Sequence, residues 1–216
     1  MSPTPRYLGA LAVTVTAVGL LSAGAADADT FVPLPDGHKS NPAVTVSRTQ
    51  ERAVISPSMA ANGAGRVVWV SGRVTAEVIV TPEGEAGPMN GPSGAPGTDN
   101  SSTHGLSQLS TGYLIGCQVS LGDAAVSAGL SGSVNLSGGS LGGSIGVNVG
   151  PGQVKFVRLT FKDIPAPGVY TIDYRDAEIE VQGCAGYAQA RAYSVVEIIG
   201  AHYSKTTLYG QPFSIG

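Results

Sequence analysis

In segment 122–150 the apolar residues change from even-numbered to odd-numbered positions at a pair of glycines. This change constrains the fold more than any other feature of the sequence. Up to Leu136 the apolar and small residues occupy even positions, and from Leu141 onward they occupy odd positions. Gly138 and Gly139 lie between the two runs. A two-residue turn that pairs Leu136 with Leu141 keeps all apolar side chains on one face, because side chains alternate along a strand. The segment predicts one β-hairpin with an apolar face and an uncharged polar face.

The composition of the whole chain favours an all-β protein with many turns. The 216 residues include 31 glycines and 14 prolines, and 42% are hydrophobic whereas only 12% are charged. A disordered chain would be richer in charge and poorer in apolar residues. The net charge of −3 comes without a basic patch, which argues against a nucleic-acid partner.

The N-terminus predicts export. Arg6 precedes an apolar run over residues 7–21, and small residues follow up to Ala28. This is the pattern of a secretory signal peptide over residues 1–28, cleaved after Ala25 or Ala28. An uncleaved anchor is the competing interpretation, but the apolar run is short for a membrane-spanning helix. No later run approaches eighteen consecutive apolar residues, so only a closed β-barrel would let the mature chain span a membrane.

The two cysteines, Cys117 and Cys184, predict a disulfide, because an exported chain meets an oxidising compartment. The bridge would close a loop of about 68 residues and stabilise the fold by roughly 4 kcal/mol in the chain-entropy description. The cysteines are far apart and have no histidine near them, so no metal site and no cofactor is expected.

Residues 29–121 and 151–216 are expected to form one β-sandwich of antiparallel strands, because turn residues recur at short intervals. Residues 30–65 contain several prolines and predict extended chain with brief edge strands. Residues 66–80 carry the strongest strand signal, in which Gly72 predicts an interruption or a bulge.

Two further segments complete this organisation. Residues 81–105 are rich in Gly, Pro, Ser and Asn without periodicity, and they predict a mobile surface loop. Within residues 106–121, one face holds Tyr113, Ile115, Cys117, Val119 and Leu121, which occupy odd positions. A change of register is therefore expected near Asp123, before the even run begins. The segment 122–150 therefore resembles an arm that projects from a globular body.

The residues that could carry catalysis do not form a catalytic pattern. The two G-x-S-x-G matches, 138–142 and 142–146, lie in a predicted strand pair, whereas that motif needs a strand followed by a helix. The three histidines, His38, His104 and His202, have no metal-ligand spacing. We therefore expect no enzymatic activity, and a hydrolase that uses Ser140 or Ser144 is the least favoured interpretation.

The predicted hairpin has the dimensions of a membrane-spanning element. Two strands of about twelve residues rise roughly 40 Å, or near 30 Å when tilted as barrel strands are. One hairpin cannot close a barrel, but a ring of subunits that each supply two strands removes the open edges. An amphipathic hairpin packed on the core of its own chain is the alternative.

In the barrel interpretation the two faces of the segment have separate roles. The predicted pore-lining residues are Asp123, Ser127, Ser131, Ser133, Asn135, Ser137, Ser140, Ser144 and Asn148. The predicted lipid-facing residues are Val126, Leu130, Val134, Leu136, Leu141, Ile145, Val147 and Val149.

Four short pieces of the chain resemble the MspA-type mycobacterial porins and occur in the same order. They are Trp69-x-Ser71-Gly72-Arg73, Gly112-Tyr113-Leu114-Ile115-Gly116 with Ser120-Leu121-Gly122 after it, Gly150-Pro151-Gly152, and Tyr209-Gly210-Gln211-Pro212-Phe213. The resemblance runs from about residue 50 to the C-terminus.

This resemblance implies a goblet-shaped homo-octamer in the mycolic-acid outer membrane of an actinobacterium. Each subunit would add one hairpin to a sixteen-stranded barrel below a β-sandwich rim, with membrane lipid around it. The implied activity is passive diffusion of small hydrophilic solutes and ions, without catalysis and without a cofactor. The family's hairpin carries an acidic constriction, whereas this chain has no acidic residue between Val126 and Gly150. Asp123 is the nearest carboxylate, and a position near the wide end of the barrel is expected for it.

Two functions therefore follow from the sequence. The first is an outer-membrane porin built from several copies of the chain. The alternative is a secreted β-sandwich that acts as a binding or cell-wall interaction module, in which the hairpin packs on its own domain.

Overall fold

The computed structural model describes residues 29–57, 65–84, 103, 105–119, 145–149, 152–184, 186–200 and 203–216. The regular structure of these residues consists of strands. In chain order the strands are β1 (Thr30–Pro33), β2 (Gly37–Ser40), β3 (Val44–Ser56), β4 (Arg66–Val78), β5 (Ser107–Cys117), β6 (Ile145–Asn148), β7 (Val154–Ile164), β8 (Gly168–Gln182), β9 (Ala188–Ile198), β10 (Ser204–Tyr209) and β11 (Phe213–Ser214). None of the described residues belongs to a helix with the length and hydropathy needed to cross a membrane.

The strands form two sheets with a common core. Sheet A has the order β1-β3-β4-β8-β6, and β2 also pairs with β3. Sheet B has the order β10-β9-β5-β7, and β11 also pairs with β9. Alternate residues of both sheets are buried in one hydrophobic cluster, which is the arrangement of a β-sandwich. The predicted all-β, two-sheet architecture is confirmed.

Strand β4 shows how the sequence pattern becomes the core. Its valines at positions 68, 70 and 74 are fully or almost fully buried, and they alternate with residues that face outward. The pairing of β4 with β8 shifts between Val70 and Gly72, opposite Asp176, which has a positive φ of 48°. The ladder is thus irregular beside Gly72, as predicted, but the extra residue lies in β8, and β4 itself is continuous from Arg66 to Val78.

The expectation for residues 30–65 is wrong in one respect. The short strands β1 and β2 lie at the edge of sheet A as predicted, but β3 is a 13-residue strand inside the sheet. It pairs with β4 from Val44 to Ser56. The prolines stand at positions 33, 35, 42 and 57, outside β3, so none of them removes a hydrogen bond from this strand.

Both ends of the predicted loop 81–105 are anchored in the sandwich. Thr81 and Thr103 are buried, and the hydroxyl oxygens of Thr81 and Ser107 are 2.6 Å apart. The amide of Leu106 donates to the carbonyl of Thr103 at 3.2 Å. Residues 85–102 and 104 lie outside the described residues, so the mobility expected of this loop stays a prediction.

Candidate functional site

One end of the sandwich is tied by a disulfide. Cys117 ends β5 in sheet B, and Cys184 follows β8 of sheet A; the two sulfurs are bonded and the Cα atoms are 5.9 Å apart. The predicted bridge is confirmed. The amide of Gln118 donates to the carbonyl of Tyr187 at 2.9 Å, and the amide of Gly152 donates to the carbonyl of Cys117 at 3.1 Å. The bridge joins the two sheets, and the backbone bonds extend the pairing of sheet B, where segment 120–144 departs. We call this region the disulfide end.

The chain re-enters the described structure at the same end, through β6. This strand pairs in parallel with β8, from Ile145 opposite Ile179 to Asn148 opposite Gln182. Val147 is 2% exposed and Val149 is 1% exposed, and both belong to the hydrophobic core.

In the described conformation Val147 and Val149 thus lie in the core, and their assignment to a lipid-facing surface stays a prediction about the assembled barrel. An alternating apolar face can be covered by lipid or by the protein's own core, and the sequence pattern is the same in both cases. Here the edge of β8 supplies free backbone groups for pairing, and the sandwich interior covers the two valines.

Segment 120–144 thus begins after a strand of sheet B and ends in a strand of sheet A. Most of the predicted site residues fall within it and lie outside the described residues. These are Asp123, Val126, Ser127, Leu130, Ser131, Ser133, Val134, Asn135, Leu136, Ser137, Ser140, Leu141 and Ser144. For Ile145 and Asn148 the structure describes the backbone position in β6.

A buried ion pair, which the sequence did not reveal, lies in the sandwich core. Arg48 and Glu51 of β3 have fully buried side chains, and Nε of Arg48 donates to Oε2 of Glu51 at 2.5 Å. Nη1 and Nη2 of Arg48 are buried without a hydrogen-bond partner among the described residues. In a regular strand, side chains three residues apart point to opposite faces. At Gln50, which has a positive φ of 57°, the register of β3 shifts by one extra residue. This bulge lets the side chains of Arg48 and Glu51 both point into the core.

Two tyrosines extend this pair into a polar cluster. The hydroxyl of Tyr113 donates to Oε1 of Glu51 at 3.3 Å and lies 3.2 Å from the hydroxyl of Tyr174. Burial raises the pKa of Glu51, and the neighbouring Arg48 opposes part of this rise. Burial also raises the pKa of Tyr174 to about 12. We call Arg48, Glu51, Tyr113 and Tyr174 the polar cluster.

The polar cluster is placed to affect stability rather than to meet a solute. Arg48, Tyr113 and Tyr174 are each at most 1% exposed, so a solute outside the sandwich has no access to them. No group of three or more potential metal-ligating side chains occurs in the part of the chain that the structure describes. The functional candidate is therefore the disulfide end with the segment that leaves it.

The fold and this end define a class: a two-sheet β-sandwich that carries a Gly- and Ser-rich amphipathic insertion, segment 120–144, between β5 and β6, at a point where a disulfide joins the sheets. The sequence model of the MspA family matches residues 42–214, from just before β3 to β11, and thus includes the insertion. The chain belongs to the MspA family, which is a family of porins. A search of curated proteins gave no match.

Proposed function

We propose that this chain is the subunit of an outer-membrane porin that lets small hydrophilic solutes and ions diffuse through a water-filled barrel. The observation that carries the proposal is the family match, which spans both sheets and the amphipathic insertion. In the proposal, residues 1–28 direct export, several copies assemble, and each copy supplies two strands to the barrel.

The length of the insertion places a condition on this proposal. With a turn at Gly138-Gly139, the return limb outside the sandwich consists of residues 140–144, which is roughly 17 Å of strand. A hydrocarbon core is about 30 Å thick and needs about nine to eleven tilted residues. Residues 140–149 satisfy that length. The porin proposal therefore requires that β6 leave β8 when the barrel forms, so that Val147 and Val149 exchange the core for lipid.

The proposed lumen carries no charge between Val126 and Gly150. Serine and asparagine occupy the polar positions from Ser127 to Asn148, and Asp123 is the carboxylate closest to them in the chain. We therefore expect the diameter of the barrel and the residues at its mouth to set the selectivity, since no ring of acids would line the wall.

Channel formation can be measured directly. Oligomer purified from membranes in mild detergent should produce stepwise current increases when it is added to a planar lipid bilayer. Protein boiled and reduced before addition serves as the control. A protein that stays monomeric and leaves the bilayer silent would contradict the proposal.

One observation favours the second candidate, a secreted β-sandwich that binds a partner or the cell wall. Val147 and Val149 are buried in the chain's own core, as expected if the insertion packs on its own domain. In that case Val134→Arg should lower the unfolding midpoint of a soluble monomer. In the porin the same change should instead prevent membrane insertion, because a charge on the lipid face costs about 2–4 kcal/mol at the bilayer midplane.

A further inference from the structure

The outer face of sheet B carries an aromatic and cationic patch at the disulfide end. The register places Val154, Gly116 and Gln189 in one row, Phe156, Leu114 and Arg191 in the next, and Arg158, Gly112 and Tyr193 in the third. The rings of Phe156 and Tyr193 are in edge contact at 5.5 Å, and Phe156 is 55% exposed. We call Phe156, Arg158, Arg191 and Tyr193 the basic patch.

The two arginines of the basic patch are held on aromatic rings. The guanidinium carbon of Arg191 lies 4.8 Å from the ring centre of Tyr209, and that of Arg158 lies 5.0 Å from the ring centre of Phe161. Nε of Arg191 also donates to the carbonyl of Gly210 at 2.8 Å. Side chains that are already ordered lose less conformational entropy when a partner binds.

The opposite face of the sandwich carries an apolar and acidic patch. On the outer side of sheet A the register places Val54, Trp69 and Glu178 in one row, and Val67 and Glu180 in the next. These five side chains are half-buried, and within the described residues no ion pair engages Glu178 or Glu180. We call Trp69, Glu178 and Glu180 the acidic patch.

Two arginines of β3 and β4 lie on this side of sheet A, and the exposed Arg175 precedes Glu178 by three residues on β8. Arg73 is paired with Asp173 at 2.6 Å, further along β4. Arg52 lies opposite Ser71, beyond the Trp69 row. The end of the sheet that contains Trp69 therefore presents an indole between apolar neighbours, with two carboxylates beside it.

The two patches lie on opposite faces but at the same end of the molecule. Phe156 and Arg191 are close to the start of β7 and β9, next to the end of β5 at Cys117. Glu178 and Glu180 are close to the end of β8, which Cys184 follows. Both patches are therefore near the point where segment 120–144 leaves the sandwich.

We propose that copies of this chain assemble head to tail, with the basic patch of one copy on the acidic patch of the next. This inference rests on the proposed function, because it assumes a ring whose axis follows the projecting arms. A head-to-tail contact uses two different surfaces, and such contacts close into a ring when the rotation permits. Rotation about the ring axis preserves height along that axis, so the two surfaces must lie at the same height. The two patches meet this condition.

The chemistry of the patches suits a protein interface with a second copy. Trp and Arg are enriched among the residues that dominate binding energy, and the patches contribute Trp69 and two arginines. Tyr193 is itself 7% exposed and packs against the exposed ring of Phe156. Opposite charge on the two surfaces favours this pairing and opposes the contact of two identical patches. A head-to-tail ring is favoured over a two-fold dimer for this reason.

Charge reversal tests the pairing. Arg158→Glu and Glu178→Arg should each weaken assembly at least about tenfold, because each places like charges in contact at every interface. The double variant should recover the oligomer, since the charges are opposite again. Lys162→Glu is the matched control, because this exposed β7 cation lies outside the patch, where Nζ donates to the carbonyl of Thr171 at 3.3 Å. Oligomer size is measured by light scattering in detergent, and the urea midpoint of each variant monitors folding.

The results separate the proposed interface from the proposed porin function on which it rests. Single variants that assemble and conduct like the unmodified protein would overturn the interface but leave the porin proposal standing. Weakened single variants without recovery in the double variant would also overturn the charge pairing. An unmodified protein that neither assembles nor conducts would overturn the proposed function and this inference together.

Discussion

An ion pair is buried inside this sandwich because one extra residue in β3 places Arg48 and Glu51 on the core side of the strand. The bulge at Gln50 is the local cause, and the hydroxyl of Tyr113 is a further partner for the carboxylate. Removing two charges from water is costly, and their attraction offsets this cost only when both partners are present. The polar cluster is therefore a site where single substitutions have large effects.

Arg48→Met should destabilise the protein by about 3–5 kcal/mol near neutral pH, because it leaves the Glu51 carboxylate buried without its cation. Without Arg48 the folded-state pKa of Glu51 rises further above 4.5, since the group that opposes the rise is gone. A raised pKa in the folded state gives stability that is present below the unfolded pKa and is lost as the pH rises through the folded one. The difference in the free energy of unfolding between Arg48→Met and the unmodified protein should thus become smaller as the pH falls toward 4.5.

Urea unfolding of Arg48→Met and the unmodified protein across this pH range measures the effect. Arg48→Met/Glu51→Leu is the control, because replacing both charges with apolar groups is close to neutral or stabilising. A deficit that does not change with pH would show that the Glu51 charge is not its cause.

Gly112 allows two strands to come into close contact. A Cβ atom at this position would overlap the Val157 carbonyl oxygen and lie 2.8 Å from Cα of Arg158. Gly112→Ala should therefore cost about 3 kcal/mol or more, since backbone atoms of β7 would have to move. Gly116→Ala on the same strand meets its nearest atom at 3.6 Å and should change the free energy of unfolding by less than about 1 kcal/mol. Equal effects of the two substitutions on urea unfolding would contradict this explanation.

At the scale of elements, β6 is the strand with two possible partners. It forms the parallel pair of sheet A, beside strands that otherwise pair antiparallel in the described structure. Its residues also continue the alternating pattern of the predicted hairpin, in which residues 129–132 would lie opposite 145–148. Pairing with β8 buries Val147 and Val149, whereas pairing within the hairpin exposes them to lipid. The two valine side chains cannot occupy the core and face lipid at the same time.

A disulfide between β6 and β8 should decide whether this exchange occurs. Asn148→Cys/Gln182→Cys places thiols at paired positions of the two strands. The oxidised double variant should form no channels in a planar bilayer, and a mild reductant should restore conductance, because β6 is then free to leave. The native Cys117–Cys184 bridge is buried and should resist reduction longer.

The control for this experiment is Gln182→Cys alone, with peptide mapping to show which cysteines are bonded. Full conductance of the oxidised double variant would mean that β6 stays on β8 in the working channel. The barrel strands would then have to come from residues 120–144 alone.

At the scale of the whole molecule, the sandwich and the insertion have different tasks in the proposed porin. The sandwich carries the polar cluster, the disulfide and the two charged patches, and it is expected to position neighbouring copies. The insertion supplies the barrel wall, where alternate residues meet water and lipid. A substitution in the wall should therefore have opposite consequences at adjacent positions.

Asn135→Asp should make the channel cation-selective, because each copy then adds a carboxylate to a ring in the lumen. The reversal potential in a KCl gradient measures this change. Val134→Asp, one residue earlier, should instead reduce insertion, because its carboxylate would face lipid. The same result for both substitutions would contradict the alternation of lumen and lipid along this strand.

Several features of the protein follow from its sequence because they depend on local chemistry. Alternating apolar residues predicted the strands and the two-sheet core, Gly72 predicted an irregularity of the ladder, and two cysteines in a chain expected to be exported predicted the disulfide. The ordered motifs indicated the MspA family. Apart from the family, these inferences needed only the period of a strand, the conformational preferences of glycine and the chemistry of thiols.

The tertiary structure decided what covers the apolar face of each strand. A period of two shows that Val147 and Val149 lie on one side of a strand, but the same pattern suits lipid and the sandwich core equally. The alternation of side chains is also broken at a bulge. That Arg48 and Glu51 share one site could therefore be seen only from the strand register of β3. The charged patches likewise required the strand order, because their residues come from strands that are distant in the chain. Sequence periodicity determines which side chains point the same way, whereas long-range packing determines what they meet.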